Sequence, residues 1–373
     1  MKKTAFALAA LALTGAGASA YAQSSVTVYG LIDTGITYNS KVSANNGSRF
    51  SVDSGDQAAS RIGFKGVEDL GGGLSAIFNL ENGFANDTGG MSTAGTLFDR
   101  KSVVGLSGSL GTVTLGRQTD YLEDIGSKYT SVGVFGSNAI KAAHFSNQDR
   151  VAGGARTDNS VRFDSANYSG FTGSLFYGFG EVAGKTSAGQ SFGIAGNYAN
   201  GPFGIGAGYY QSKLSSATTT GQPGDTGLKT FTIGSSYQFG PAKLYGAWSQ
   251  VKLPTQAAVA STGLVNNTLG NKANIFDLGV DYSLTPNLHL MAGVIHDRVD
   301  IKRATTGARR ASTTQINLGV DYYLSKRTDV YAMYANQRAK DSINPGVING
   351  SYTNSPSDDS TQNVLRVGVR HKF

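Results

Sequence analysis

The chain reads as an all-β transmembrane barrel, and three observations lead there. Side chains alternate apolar and polar over segments of strand length, short turns take turns with long polar loops, and no apolar run beyond residue 22 could cross a bilayer as a helix. Seven short turns set the spacing: Glu68–Gly71, Ser109–Gly111, Tyr168–Gly170, Asn200–Pro202, Phe239–Pro241, Thr285–Asn287 and Ser325–Thr328. Between consecutive turns lie two strands and a longer polar stretch, such as Ala85–Thr96, Leu214–Gly227, Leu253–Lys272 or Ala339–Ser360. Seven turns join fourteen strands, and the first and last bring the expected number to 16, all antiparallel. The short turns are expected on the periplasmic side and the long loops on the extracellular side.

The N-terminus supplies the compartment. Met1-Lys2-Lys3 is a charged start, Thr4 to Ala18 is apolar, and Ala20-Tyr-Ala22 offers the small residues that a signal peptidase reads. Residues 1–22 are therefore expected to be a signal peptide, and residues 23–373 the barrel. Removing Lys2 and Lys3 lowers the basic count from 32 to 30 against 25 acids, a net charge of +5.

The strands follow in order. Val26, Val28, Gly30 and Ile32 share one face, with Thr27, Asp33 and Thr37 on the other. Phe171, Gly173, Leu175, Tyr177 and Phe179 alternate with Thr172, Ser174 and Gly178. Phe276, Leu278, Val280, Tyr282 and Leu284 alternate with Asp277, Gly279, Asp281 and Ser283, and Ile316 to Leu324 repeats the scheme with Asn317 and Asp321. The last strand sets Leu365, Val367, Val369 and Phe373 against Arg366, Gly368, Arg370 and Lys372. It should pair with the first, because hydrocarbon offers no partner for an open sheet edge. Aromatic residues gather beside the short turns (Tyr168, Phe171, Tyr198, Phe203, Tyr237, Phe239, Tyr282, Tyr322), as an interfacial girdle would. One stretch breaks the pattern: residues 118–158 show no alternation long enough to cross anything. Connections of that length are usually functional, and this one is expected to fold into the lumen and narrow it.

Composition excludes several chemistries. There is no cysteine, hence no disulfide framework, thiolate metal site or cysteine nucleophile. Metal-ligand spacings, phosphate loops and nucleic-acid motifs are absent, so no cofactor and no nucleic acid are expected. The histidines, His144, His289, His296 and His371, are scattered without a neighbouring nucleophile or acid constellation, so an enzyme is not the reading. The run Gly204-Ile-Gly-Ala-Gly208 sits on a strand, where glycine permits close packing and curvature.

Several segments carry a family resemblance. Gln23 to Asp33, Ser60 to Leu74, Val104 to Gly108, Gly111 to Arg117 and the terminal Val367 to Phe373 follow one another in order along the whole chain. They resemble the general, non-specific porins of Gram-negative outer membranes, in the β-proteobacterial and neisserial branch. The resemblance implies a 16-stranded barrel, a homotrimer, and passive diffusion of small hydrophilic solutes and ions. It also implies that Phe373 is the ending read by the barrel-assembly machinery. Outer-membrane lipid and lipopolysaccharide are the neighbours such a barrel would have. Where the family's third loop often carries a Pro-Glu-Phe-Gly-Gly-like tip, this chain has Val134-Phe-Gly136.

A pore selects by its width and by the charges that line it. Arg61 and Lys65 share a parity opposite Ile62 and Phe64, which points both inward. Arg61, Arg100 and Arg156 match the positions of the family's basic cluster. Glu81, at inward parity on the neighbouring strand, is expected to pair with Arg61 and Arg100 and hold them. Asp120, Glu123 and Asp124, at the start of the inserted segment, are the candidates for an acidic wall opposite. The basic set implies a modest preference for anions.

Overall fold

The computed structural model describes residues 25–373 other than 43–46, 137–142, 146, 214–225, 254–267, 304–306 and 342–358. The expected signal peptide, residues 1–22, lies outside the described residues. Among these, seventeen strands run in order: β1 (Ser25–Val42), β2 (Gly47–Ser54), β3 (Arg61–Gly71), β4 (Leu74–Gly83), β5 (Lys101–Gly108) and β6 (Gly111–Thr119). Then come β7 (Arg156–Ser165), β8 (Phe171–Gly178), β9 (Ser191–Asn200), β10 (Phe203–Lys213), β11 (Thr226–Phe239) and β12 (Ala242–Leu253). The last are β13 (Thr268–Thr285), β14 (Leu288–Arg303), β15 (Gly307–Tyr323), β16 (Thr328–Lys340) and β17 (Thr361–Lys372).

From β3 onward each strand pairs antiparallel with the next, β1 pairs with both β2 and β3, and β17 returns to β1 with Leu31 opposite Lys372 and Asn39 opposite Val364. The sheet is therefore closed. The inner half of β1, Ser25–Leu31, pairs with β3, while its loop-end half, from Thr34 onward, pairs with β2. These two segments thus occupy one position around the circumference, and the barrel has 16. They are parted by residues 55–60, which tuck inward: the Asp33 amide donates to Ser60 Oγ at 3.0 Å, and the Ala58 amide to Asp33 Oδ2 at 2.7 Å. Six of the seven short turns fall where the sequence puts them; the first lies at Gly72-Gly73 rather than at Glu68–Gly71, because β3 runs on to Gly71 and the positive φ of Gly71, Gly72 and Gly73 makes the reversal there.

Parity sorts the two faces. Leu278 is 60% exposed on the outside, while its neighbour Asp277 is 1% exposed inside. Leu318 and Val367 likewise face out, and Asn317 and Arg366 are buried inward. The inner face is not uniformly polar, however, as strict alternation would suggest. Val251, Ala273, Ile275, Ile295, Val299 and Ala311 point inward and form a dry platform.

That platform receives the inserted segment, which leaves at the end of β6 and returns at the start of β7. The segment is not structureless: Leu122–Tyr129 is helical, followed by one helical turn at Val132–Phe135. Leu122, Ile125 and Tyr129 lie on one helix face, since residues three and four apart are neighbours. They press on β10 and β11, where a Cβ on Gly206 would come within 2.9 Å of Tyr129 and one on Gly208 within 2.8 Å of Leu122. The glycine run of β10 is thus a seat for the helix. Phe135, Ala143, Phe145 and Ala152 then cover the apolar platform. Burying a side chain such as Phe135 stabilises by ~1.5–3 kcal/mol, so this contact fixes the segment across the lumen rather than leaving it to swing.

Candidate functional site: an arginine-lined narrowing of the lumen

Three arginines come from the loop ends of alternate strands. Arg61 opens β3, Arg100 directly precedes β5, and Arg156 opens β7. Glu81 lies near the end of β4, between the first two in the sheet. Arg100 Nε donates to Glu81 Oε1 at 2.6 Å, and Arg61 Nε stands 3.8 Å from Oε2. Tyr29 braces the same carboxylate, its hydroxyl donating to Oε2 at 2.9 Å. Arg156 Nε donates to the Arg100 carbonyl at 2.7 Å, which sets the third guanidinium beside the second.

These arginines bound an opening of about 510 Å³. Across it the inserted segment presents Glu123, Ser127, Gly133 and Gly154, and Asp99 and Arg370 also line it. Charged-group density is thus basic on the strand wall and sparse on the facing wall. Arg370 is held from behind by Asp329 at 3.0 Å and Asp321 at 3.5 Å.

The sequence-derived residues divide by geometry. Arg61, Arg100, Arg156, Glu81 and Glu123 come together here. Lys65 does not: it lies farther along β3, its Nζ 5.4 Å from the centre of the Tyr29 ring. Asp120 and Asp124 are drawn to other partners. Asp120 accepts from Arg150 Nε at 2.5 Å and from the Leu122 amide, two residues on, at 2.8 Å. Arg150 in turn stacks over Tyr210 at 3.9 Å, so the pair is buried beneath the segment. Asp124 accepts from Arg162 Nη2 at 2.7 Å on the strand wall. With Leu122, Ile125 and Tyr129 turned to the barrel wall, Glu123 and Ser127, four residues apart, are the pair the helix turns to the opening.

Sequence reasoning passed over Arg370 and Asp99. The inward parity of Arg370 was a usable signal; Asp99, in an irregular stretch, offered none. The anchor of the segment was also missed. His144 lies buried between two carboxylates, Nδ1 2.7 Å from Asp149 and Nε2 3.1 Å from Asp277. Asp277 accepts as well from the Ser131 amide at 2.7 Å and the Ser131 hydroxyl at 2.6 Å. Burial alone would lower the His144 pKa, but the charge of Asp149 and hydrogen bonds to both carboxylates overcome it and raise it to about 10. Phe373 closes the seam, exchanging two backbone hydrogen bonds of 3.1 Å with Gly30.

Comparison with known proteins places this geometry. A sequence profile of the family described as Gram-negative porin matches residues 7–342. Outer membrane porin protein 32 of Delftia acidovorans is 34% identical over the full length of both chains. The major outer membrane protein P.IB of Neisseria gonorrhoeae is 29% identical, covering 97% of this chain and 99% of its own. Among solved structures, the anion-selective porin from Comamonas acidovorans superposes with a TM-score of 0.74 at 28% identity, over 94% of this chain and 100% of the other. OmpT of Vibrio cholerae in its trimer form shares the fold at a TM-score of 0.66 and 17% identity, over 94% of this chain and 99% of its own.

Proposed function

The chain belongs to the Gram-negative porin family, and we propose that its outer-membrane channel prefers anions because of the arginine wall at the narrowing. The observation that carries this is the pairing: Glu81 is shared by Arg100 and Arg61, while Arg156 donates to the Arg100 carbonyl and brings a third guanidinium to the same wall. Two unit charges 4 Å apart interact by ~1 kcal/mol in water and by ~4 near a protein surface. After partial neutralisation by Glu81 and Glu123, a few kcal/mol at most remain, enough to bias passing ions but not to exclude cations. Lys65 adds to the potential of the lumen away from the narrowing, while Asp120 and Asp124 hold the inserted segment in place.

The remaining assignments follow the same reading. Residues 1–22 are a cleaved signal peptide, and 23–373 form the barrel, with the constricting loop at about 118–158. Three copies associate, supported by the apolar outer face of β1 and β2, where Ile36, Phe50 and Val52 stay exposed up to the loop end. Phe373 is the residue the barrel-assembly machinery reads, supported by its place at the closing seam. The passage serves small hydrophilic solutes and ions, in a membrane whose lipid and lipopolysaccharide surround the wall.

The test is a reversal potential under a salt gradient for the wild type and for Arg61→Ala combined with Arg100→Ala. The double change removes two cations and leaves Glu81 with only the Tyr29 hydroxyl of the partners described above. The anion-to-cation permeability ratio should fall several-fold, past unity toward cations. An unchanged ratio would place the selectivity elsewhere.

A further inference from the structure

Between β2 and β3 the chain is longer than the strand it pairs with. Thr34 of β1 lies opposite Ser54, and Leu31 opposite Arg61. Three steps along β1, from 34 to 31, therefore face seven along its partner, from 54 to 61, an excess of four residues. A β-bulge ordinarily holds one extra residue. Turned outward, this surplus backbone would lie in hydrocarbon, where its amides and carbonyls find no partner. Turned inward it can be bonded and wetted, and Asp56, Gln57 and Ser60 are buried on that side.

A polar scaffold fixes the bend. The Gly55 amide donates to the Asp33 carbonyl at 2.8 Å. Gly55 has a φ of +72°, and a Cβ there would stand 2.9 Å from the Ala59 Cα, so the turn favours glycine. Asp56 accepts from Arg366 Nη1 at 2.8 Å, and the Ser60 hydroxyl donates to Asn86 Oδ1 at 2.9 Å. With the Ala58 amide bonded to Asp33, the bend is tied at both ends and in its middle. The carboxylates of the seam thus do more than balance Arg366: Asp33 and Asp56 hold residues 55–60 in the lumen.

On its other side the bend meets the inserted segment. A Cβ on Gly136 would lie 1.8 Å from the Gln57 carbonyl oxygen, so the two backbones touch where no side chain fits. Gln57, Ala58 and Ala59 line the opening of about 510 Å³ together with Arg61, Arg100 and Arg156. The opening therefore has three sides: the arginine wall, the inserted segment with Glu123 and Ser127, and the bend. We propose that residues 55–60 are a second constricting element, and that Ala58 and Ala59 set the width of the passage and so the size of solute it admits. Two methyl groups stand there among charged and amide side chains. A larger side chain at either position would narrow the opening while the bond from the Ala58 amide to Asp33 is kept. The proposal rests on the channel reading of this opening but not on its ion preference, since width and charge are carried by different residues.

The chain has no cysteine, so a single introduced thiol can be read without background. Ala58→Cys and Ala59→Cys are recorded in planar bilayers before and after benzyl methanethiosulfonate, a neutral reagent that attaches a ring through a disulfide. Single-channel conductance should at least halve. Liposome swelling should slow more for a disaccharide than for a pentose, with the reversal potential in a salt gradient unchanged. Lys65→Cys, exposed farther along β3, should react with almost no loss of conductance. With no reagent at all, Ala59→Ser, Ala59→Leu and Ala59→Trp should give conductances that fall in that order, each variant checked as a folded barrel by its heat-modifiable gel mobility. Thiols at 58 and 59 that stay unreactive, a conductance unmoved by the adduct or by side-chain volume, or an equal loss at Lys65→Cys would overturn the proposal. A wild-type channel without anion preference would count against the arginine wall and leave the role of the bend intact.

Discussion

Two arginine clusters face the interior of this barrel, and they are built in opposite ways. At the seam, Arg366 lies 2.8 Å from Asp56, 3.6 Å from Asp33 and 3.9 Å from Asp53, with Arg370 beside Asp321 and Asp329. At the narrowing, Arg61 and Arg100 share Glu81, and Arg156 stands beside them on the Arg100 carbonyl. Side-chain exposure follows the charge balance: 2% for Arg366 against 29% for Arg61. A buried guanidinium must be matched, because a lone charge out of water costs several kcal/mol. A guanidinium kept in water can remain unmatched, and its field then reaches whatever passes. The same residue type closes the barrel at one place and lines the opening at another.

The comparison breaks most decisively at Arg366. Arg366→Met strands Asp33, Asp53 and Asp56 without their cation, and removing one partner of a buried pair costs ~3–5 kcal/mol. Urea unfolding should show that loss, whereas Arg100→Ala should cost less than half as much and act on selectivity instead. Equal destabilisation by the two would erase the distinction. The seam also carries more acid than base, and the excess is relieved by a proton. Burial pushes the Asp56 carboxyl up, Arg366 pulls it down, and the nearby aspartates push it up again, to about 7. The native state then holds a proton that the unfolded chain releases, so this contribution to stability declines as pH rises from about 4 through about 7.

A smaller effect belongs to the apolar platform under the inserted segment. Phe135→Ala leaves a cavity over the inward apolar patch and should cost ~3 kcal/mol, near the low end for aromatic truncations. Conductance should become noisier as the inserted segment loosens, while thermal unfolding reports the loss. A conductance trace as quiet as the wild type's would show that the polar anchor alone holds the segment.

The anchor responds to pH in a stated direction. His144 has its pKa raised to about 10, so its contribution is complete below about 6.5 and is lost as pH rises through about 10. Protease cleavage of the inserted segment should accelerate above that pH in the wild type. In His144→Gln, which lacks the titrating group, cleavage should be nearly flat with pH.

What the sequence made legible follows from what periodicity measures. Strict alternation and turn spacing report which side of a wall a residue faces, so closure, the order of strands and the inward placement of Arg61 and Glu81 could be read directly. Alternation says nothing of what covers an inward residue. Ile275 and Ile295 were therefore hidden as a platform, and Gly206 and Gly208 as a seat. The eight-residue helix Leu122–Tyr129 spans too few turns for its apolar face to stand out, and without that face Asp120, Glu123 and Asp124 look equivalent. Once Leu122, Ile125 and Tyr129 are fixed to the wall, the three acids point in three directions, to Arg150, to the opening and to Arg162. The interruption at residues 55–60 was invisible for a related reason: both flanking strands pair with β1, so the count of wall positions stays the same.

Lys65 supplies the finest test. It shares the inward parity of Arg61, but four residues along a strand rising ~3.3 Å each place it ~13 Å from that residue, beyond a Debye length of ~8 Å at physiological salt. Its ammonium instead rests over Tyr29, a contact worth ~0.5–1 kcal/mol at an exposed site. Lys65→Gln should therefore shift the reversal potential far less than Arg100→Ala and change stability by at most ~1 kcal/mol. A shift as large as that of Arg100→Ala would mean that the field is set along the whole lumen, and that the narrowing has no special claim on selectivity.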